Sequence, residues 1–156
     1  MPTHAEERHS HFTPDQLFDL VADVERYPEF LPWCVAARIR RREENMVWAD
    51  LVIGFKVFRE RFSSRVTLDR TVHRIDVAYT EGPFRYLNNH WIFKPAPDGG
   101  TLLDFYVDFE FRSMVLQKII GALFGEAVKR MVGAFEHRAE RLYGEAELGP
   151  QRVTGR

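Results

Sequence analysis

The chain has 156 residues, 45% hydrophobic and 13% aromatic, with 22 Lys and Arg against 23 Asp and Glu. That length fits a single globular unit burying about 68–70% of its unfolded surface, and the nearly cancelled charge excludes a global field that would draw DNA or an anionic membrane to the whole molecule. The only cysteine, Cys34, excludes an internal disulfide and, with no CxxC, a cysteine-built zinc site; a reducing cytoplasm suits such a chain.

The first residues, MPTHAEERHSHF, are polar and contain Glu6 and Glu7, unlike a secretory signal or a mitochondrial presequence. No run approaches 18 uninterrupted apolar residues, so no spanning helix is expected. Residues 3 to 12 read as a short polar strand. Thr13-Pro14-Asp15 starts a helix with proline in its first turn, and Leu17, Phe18, Leu20 and Val21 form its apolar face. A second short helical turn spans Val24 to Phe30, bent or ended by Pro28 and Pro32. From Val35 to Phe111 the apolar period becomes two. Six strands are predicted, at 35–42, 46–53, 57–68, 72–79, 86–94 and 101–111, separated by turn signals such as Glu43-Glu44-Asn45 and Glu81-Gly82-Pro83. That is an antiparallel meander. After Ser113, an N-cap, the period is helical to about Tyr143, with Leu116, Ile120, Leu123, Ala127, Met131, Ala134 or Phe135, and Leu142 as its stripe. At 1.5 Å per residue this is a rod of roughly 46 Å. Residues 1–144 are expected to form one domain. Residues 145–156 have no apolar period and are expected to be a disordered tail.

A long amphipathic helix after six strands finds its partner surface on the concave face of a curved sheet. In the last strand Leu103, Phe105, Val107, Phe109 and Phe111 share one face, with Asp104, Tyr106, Asp108 and Glu110 opposite. Phe58, Phe62, Val66 and Leu68 repeat the pattern against Arg59, Arg61 and Arg65. Core packing explains any single phenylalanine. One helix on a long curved sheet, however, leaves unfilled volume, and aromatic walls with few polar groups are what an apolar ligand needs.

The stretch DVERYPEFLPWC, followed by VIGF, FSSRV, EGPFRYLNNHWIF, DFEF and FGEAVKRMVGAFEHRAERLYG, resembles the coenzyme Q-binding branch of the START-domain family, within the polyketide cyclase and lipid transport superfamily. The resemblance covers residues 3 to 144 and departs at Asn89, where a glycine is usual. It implies an α+β helix-grip (START-like) fold: a curved antiparallel sheet wrapped around a long C-terminal helix, with two short helices after the first strand. It also implies ubiquinone or another polyprenyl quinone as the bound ligand, with no cofactor or metal, in a carrier or chaperone serving respiratory electron transport. Bacterial relatives of this branch, the RatA-type ribosome association toxins, imply an alternative in which the protein binds the ribosome and blocks subunit association. Cyclase relatives imply a third, an aromatase or cyclase.

In such a fold the proline-aromatic segment closes one end of the cavity, so Tyr27, Phe30, Leu31 and Trp33 are candidate ligand contacts; an aromatic corner filling the core explains them equally well. The sheet adds Phe58, Glu60, Phe62, Trp91, Phe105 and Phe109, and the long helix adds Leu116, Ile120 and Leu123. Glu60, among apolar neighbours, needs a raised pKa or an arginine partner. It hydrogen-bonds a quinone head group or caps the mouth of the sheet. His9 and His11 share a strand face at i, i+2, but spacing places no third ligand beside them, so they read as solvated. His90 and Asn88 share a polar face. No paired carboxylates, Ser-His-Asp set or Gly-rich phosphate loop emerges, and the chain reads as a carrier, not an enzyme. Cys34 has no adjacent cation and reads as inert.

Two features concern partners. Phe55 at a hairpin tip and the nearly all-apolar MVLQKIIGALF leave Val115, Ile119 or Phe124 to face a cavity mouth, a second copy or a bilayer, the last implying peripheral contact with the inner membrane. Arg38, Arg40, Arg41, Arg42, Arg59, Arg61, Arg65 and Arg74 form a basic outer face, read as a site for anionic lipid or ribosomal RNA, or as a solvated strand surface.

Overall fold

Thr13 accepts a hydrogen bond from the Gln16 backbone at 3.1 Å while the Gln16 side chain accepts one from the Thr13 backbone at 3.0 Å. This reciprocal cap, with Pro14 just inside, starts helix α1 (Pro14–Ala22) where the sequence places it. The computed structural model describes residues 3–55 and 58–144, the side chains of Phe55 and Phe58 excepted. The expected tail, 145–156, lies outside the described residues. Strand β1 (Thr3–Ser10) precedes α1, and a 3-10 helix (Val24–Glu29) containing Pro28 follows it. Then come β2 (Cys34–Glu43), β3 (Met46–Phe55), β4 (Phe58–Asp69), β5 (Arg74–Glu81), β6 (Phe84–Pro95) and β7 (Thr101–Phe111). Helix α2 (Met114–Ala139), capped by the Ser113 hydroxyl at 3.2 Å from the Leu116 backbone, closes the fold and runs into one π-turn (Glu140–Gly144).

The strands form one antiparallel sheet in the order β1-β7-β6-β5-β4-β3-β2. The meander is therefore intact, and the polar first strand returns to pair with the last. Register shifts at Cys34/Ala36, Ile39/Arg41, Ser63/Ser64 and Phe84/Tyr86 bend the strands, which is how a sheet of this length curls around one helix. Gly82 closes the β5–β6 turn at φ 147°, where an added Cβ would lie 2.6 Å from that of Phe62. Strand β5 starts at Arg74, two residues later than predicted. The Asp69 carboxylate accepts from the Thr71 backbone and hydroxyl, and His73 takes a left-handed φ of 51°, so a turn holds the residues assigned to the strand.

The core lies between α1, α2 and the inner face of the sheet: Val47 and Ala49 of β3, Val66, Ile75, Trp91 and Phe93, and Leu103 and Phe105 of β7. Helix α2 contributes Leu116, Val128, Val132, Phe135 and Ala139 as buried residues, with Phe124 and Met131 packed beside them. The predicted stripe is thus corrected at two positions. From Ile120 the buried face moves by four residues to Phe124, not by three to Leu123, which is 42% exposed, and Leu142 is exposed as well.

Candidate functional site

The inner wall does not fill the space it encloses. A cavity of about 180 Å³ lies between the 3-10 helix, α2 and the middle of strands β3 to β7. Tyr27 and Leu31 close one end, Met131 and Phe135 form the helix side, and Ala49, Leu51, Phe62, Val66, Val77, Trp91, Phe105 and Val107 are among the sheet side chains that line it. An apolar cavity of roughly 150 Å³ stays dry and accepts a single benzene-sized ring. This one has room for a ring and its substituents. A second hollow of about 60 Å³ adjoins it, lined by Ile53, Glu60, Phe62, Pro83, Phe84, Phe111, Leu116 and Ile120. Ile53 and Phe62 belong to both walls, so the two spaces adjoin across those side chains, and Leu116 and Ile120 place the smaller one beside the start of α2.

The thirteen candidate residues therefore divide. Tyr27, Leu31, Phe62, Trp91 and Phe105 line the main cavity; Glu60, Leu116 and Ile120, with Phe62, line the smaller one. Phe30 lines neither: it packs edge-on against Phe135 at 5.3 Å, under the Arg138 guanidinium at 5.1 Å. Phe109 is wedged between Phe84 at 5.5 Å and Phe124 at 5.2 Å in an aromatic cluster. Trp33 is half-buried at a left-handed φ of 67°, Leu123 turns outward, and the Phe58 side chain, like that of Phe55, lies outside the described residues. The arginine partner expected for Glu60 is not formed among the described residues. Besides apolar side chains such as Leu51, Val77 and Met131, two polar wall residues were not among the candidates, Ser64 and Asn89. Strand alternation carries the signal: FSSRV puts Ser64 in phase with Phe62 and Val66, and LNNHW puts Asn89 in phase with Leu87 and Trp91.

The main wall carries one ionisable group, the Tyr27 phenol. Its hydroxyl donates to the Val21 carbonyl, and burial pushes its pKa far above the ordinary range. Trp91 Nε1 donates to Asn89 Oδ1 at 3.1 Å, and Asn89 Nδ2 donates to the Tyr106 carbonyl at 2.8 Å. Beside the cavity, Cys34 is buried and its thiol is pushed up to about 11 by that burial, which accords with an inert cysteine. The 3-10 helix is tied to α2 by Arg138, whose guanidinium lies 2.6 Å from Glu29. That guanidinium first, and Arg26 second, hold the Glu29 carboxyl below the usual carboxylate range.

The basic outer face is organised around a residue the sequence reading passed over. Asp50 is buried on β3 and accepts from Ser63 at 2.6 Å, with Arg38 and Arg40 at 3.2 Å and Arg61 at 4.0 Å. Burial alone would raise its carboxyl; the Ser63 hydroxyl and the guanidiniums outweigh that and keep it below the ordinary value. Arg41 pairs with Glu43 and lies over Trp48 at 4.7 Å, while Arg74 pairs with Asp76, so the eight arginines do not act as one patch. His9 and His11 sit 2.8 Å from Asp98 and 3.9 Å from Glu140, and no group of three metal-ligating side chains occurs among the described residues. Among those residues, too, no helix is long and apolar enough to cross a membrane.

This geometry has known counterparts. The chain is 42% identical over 134 residues to the ribosome association toxin RatA of Rickettsia prowazekii, covering 84% of this chain and 91% of that one. It is 36% identical over 142 residues to the mitochondrial coenzyme Q-binding protein COQ10 homolog B of Xenopus laevis, covering 88% of this chain but only 57% of that protein. The solution structure of the 18 kDa protein CC1736 from Caulobacter crescentus superposes with a TM-score of 0.75 at 38% identity, over 92% of this chain and 99% of that one. The sequence pattern of the family described as polyketide cyclase / dehydrase and lipid transport matches residues 11–136, spanning α1, the sheet from β2 to β7 and most of α2. The chain belongs to that family and has its START-like helix-grip fold, with an apolar cavity between the sheet and the long helix.

Proposed function

We propose that the chain carries a polyprenyl quinone such as ubiquinone, its ring in the main cavity and its tail crossing the Ile53–Phe62 divide toward the start of α2. The observation that carries this reading is the character of the wall: apolar apart from Ser64 and Asn89, with one ionisable side chain whose proton is already donated to a carbonyl. Such a wall stabilises an uncharged ring by burial and offers no acid–base pair for cyclisation, which favours a carrier over an enzyme. The coenzyme Q-binding name of the Xenopus relative supports the choice of ligand. A tail leaving by the smaller hollow emerges near Met114 and Val115, 81% and 61% exposed, which suits peripheral docking of a cytoplasmic protein on the inner membrane in support of respiratory electron transport. The test is transfer of a long-chain quinone between vesicles. Wild-type protein accelerates it, and Met114→Ser with Val115→Ser slows it about tenfold. No acceleration by the wild type would refute the carrier.

A second reading rests on the Asp50 arginine fan and the RatA relatives. Three guanidiniums share one carboxylate, so the face keeps an excess of positive charge suited to ribosomal RNA. In this reading the protein binds the ribosome and blocks subunit association. Replacing Arg38, Arg40 and Arg61 with Gln would then weaken ribosome binding and flatten its salt dependence; an unchanged salt slope would dismiss that surface.

A further inference from the structure

Ser64 is 4% exposed, lines the main cavity, and its hydroxyl makes no hydrogen bond among the described residues. The hydroxyl is open to the cavity it lines and is not sealed within protein, so a ligand there can meet it with a hydrogen bond. Across β5 stands Asn89, the other polar side chain of this wall with capacity to spare. Its amide is held rigid by the Trp91 indole on its oxygen and the Tyr106 carbonyl on its nitrogen. That leaves one N–H and one lone pair unassigned.

The register sets their separation. Ser64 lies opposite Tyr79, and Asn89 lies opposite Val77, two residues along the same strand. Two strand spacings across and two residues along give about 12 Å between their Cα atoms. Both side chains stand on the concave inner face, where curvature brings their polar ends closer together than their Cα atoms, within reach of the two oxygens of one six-membered ring by a hydrogen bond of about 2.8 Å at each end.

We propose that Ser64 and Asn89 are the polar readers of this cavity, gripping the two oxygens of a quinone ring from either side of β5, and that they hold the ring in its oxidised and its reduced state alike. The inference rests on the carrier reading above. The two-state part follows from the chemistry of the pair. A quinone carbonyl needs donors, and the Ser64 O–H and the remaining Asn89 N–H supply them. A quinol hydroxyl needs acceptors, and Ser64 Oγ and the open lone pair of Asn89 Oδ1 supply those. A charged lysine or carboxylate in either place would favour one form; the wall has neither. The protein performs no electron transfer in this scheme. It leaves the balance of the bound couple where it stands in the free ligand.

The test measures calorimetric affinity for three probes with the same decyl tail: a dimethoxy-benzoquinone, its quinol under anaerobic conditions, and a ring in which methyl groups replace both oxygens. Wild-type protein should bind quinone and quinol within tenfold of each other, which for a two-electron couple is a shift of less than about 30 mV, and both at least tenfold better than the methylated ring. Ser64→Ala should erase at least threefold of that preference, leave affinity for the methylated ring unchanged, and melt no lower than wild type, since it removes an unpaired hydroxyl. Asn89→Leu should erase the preference as well; because it also orphans the Trp91 N–H, its affinity for the methylated ring is the control for an intact cavity. Equal wild-type affinity for all three probes, or a preference that survives both variants, overturns the proposal and leaves the apolar carrier standing. Exclusion of the quinol by a hundredfold overturns the two-state claim. Binding of none of the three brings down the carrier reading and this inference with it.

Discussion

Ala49→Leu separates an empty cavity from a packed one. Ala49 is fully buried on β3, directly opposite Ser64 in register, and its methyl group forms part of the cavity wall. Leucine adds three carbons that point into the void. At about 0.8 kcal/mol per buried carbon the gain is at most about 2.4 kcal/mol, and ordering the longer side chain costs about 0.5–1 kcal/mol. The net, about 1.5 kcal/mol, raises the melting temperature of a chain this size by about 3–6 °C. The same leucine occupies space the ring needs, so quinone affinity should fall at least tenfold. Stability and binding thus move in opposite directions, measured by calorimetric melts of the ligand-free protein and by titration with a decyl-tailed quinone. A lowered melting temperature, from a stability loss of the roughly 1–3 kcal/mol typical of overpacking, would mean that there is no void to fill. A raised melting temperature with undiminished affinity would place the ligand elsewhere.

Phe109→Asp, which buries an unpaired carboxylate between Phe84 and Phe124, should cost more than about 4 kcal/mol and abolish ligand binding, whereas Asp108→Asn, on the outer face beside Thr3, should shift thermal melts by less than about 0.5 kcal/mol; the reverse ranking would invert the assigned faces of β7. Because Glu29 has a lowered pKa in the folded chain, its contribution is present above the unfolded value near 4.3 and is lost as pH falls through the folded one. Glu29→Gln should therefore melt below wild type at pH 6, with the gap closing as pH falls through the folded value; a gap that does not narrow in acid would rule out the Arg138 pair as its source. Asp50→Asn leaves Arg38, Arg40 and Arg61 facing one another and should destabilise by about 1–3 kcal/mol, with part of the loss recovered in 1 M salt, where the screening length is about 3 Å. A loss indifferent to salt would mean that guanidinium repulsion is not its cause.

The strand phases were legible because apolar and polar residues alternate without a break from Leu103 to Glu110, and a slip of one residue would turn every phenylalanine of β7 toward solvent. Helix α1 was legible from three residues, Thr13, Pro14 and Asp15, whose chemistry is local; the structure adds the Gln16 side chain that completes the cap. The phase of α2 was less so. Leu123 and Phe124 are both apolar, and only the position of Phe109 on the facing strand decides which turns inward. Asp50 illustrates a different limit: its partners come from β2 and β4, and their meeting depends on a register that no single strand encodes. The cavity itself is set by what fails to fill it. Phe30 and Phe109 read as wall in sequence, yet each finds an aromatic partner and becomes filler, while Ser64 and Asn89, passed over as polar, are left facing the space.

Mass spectrometry of the lipids extracted from natively purified protein tests the central claim most directly. A single polyprenyl quinone should be recovered from the wild type at near-equal molar amount and be depleted at least tenfold from Ala49→Leu prepared in parallel. Wild-type protein that carries no lipid, or one that carries the same lipids as its cavity-filled variant, would contradict the account.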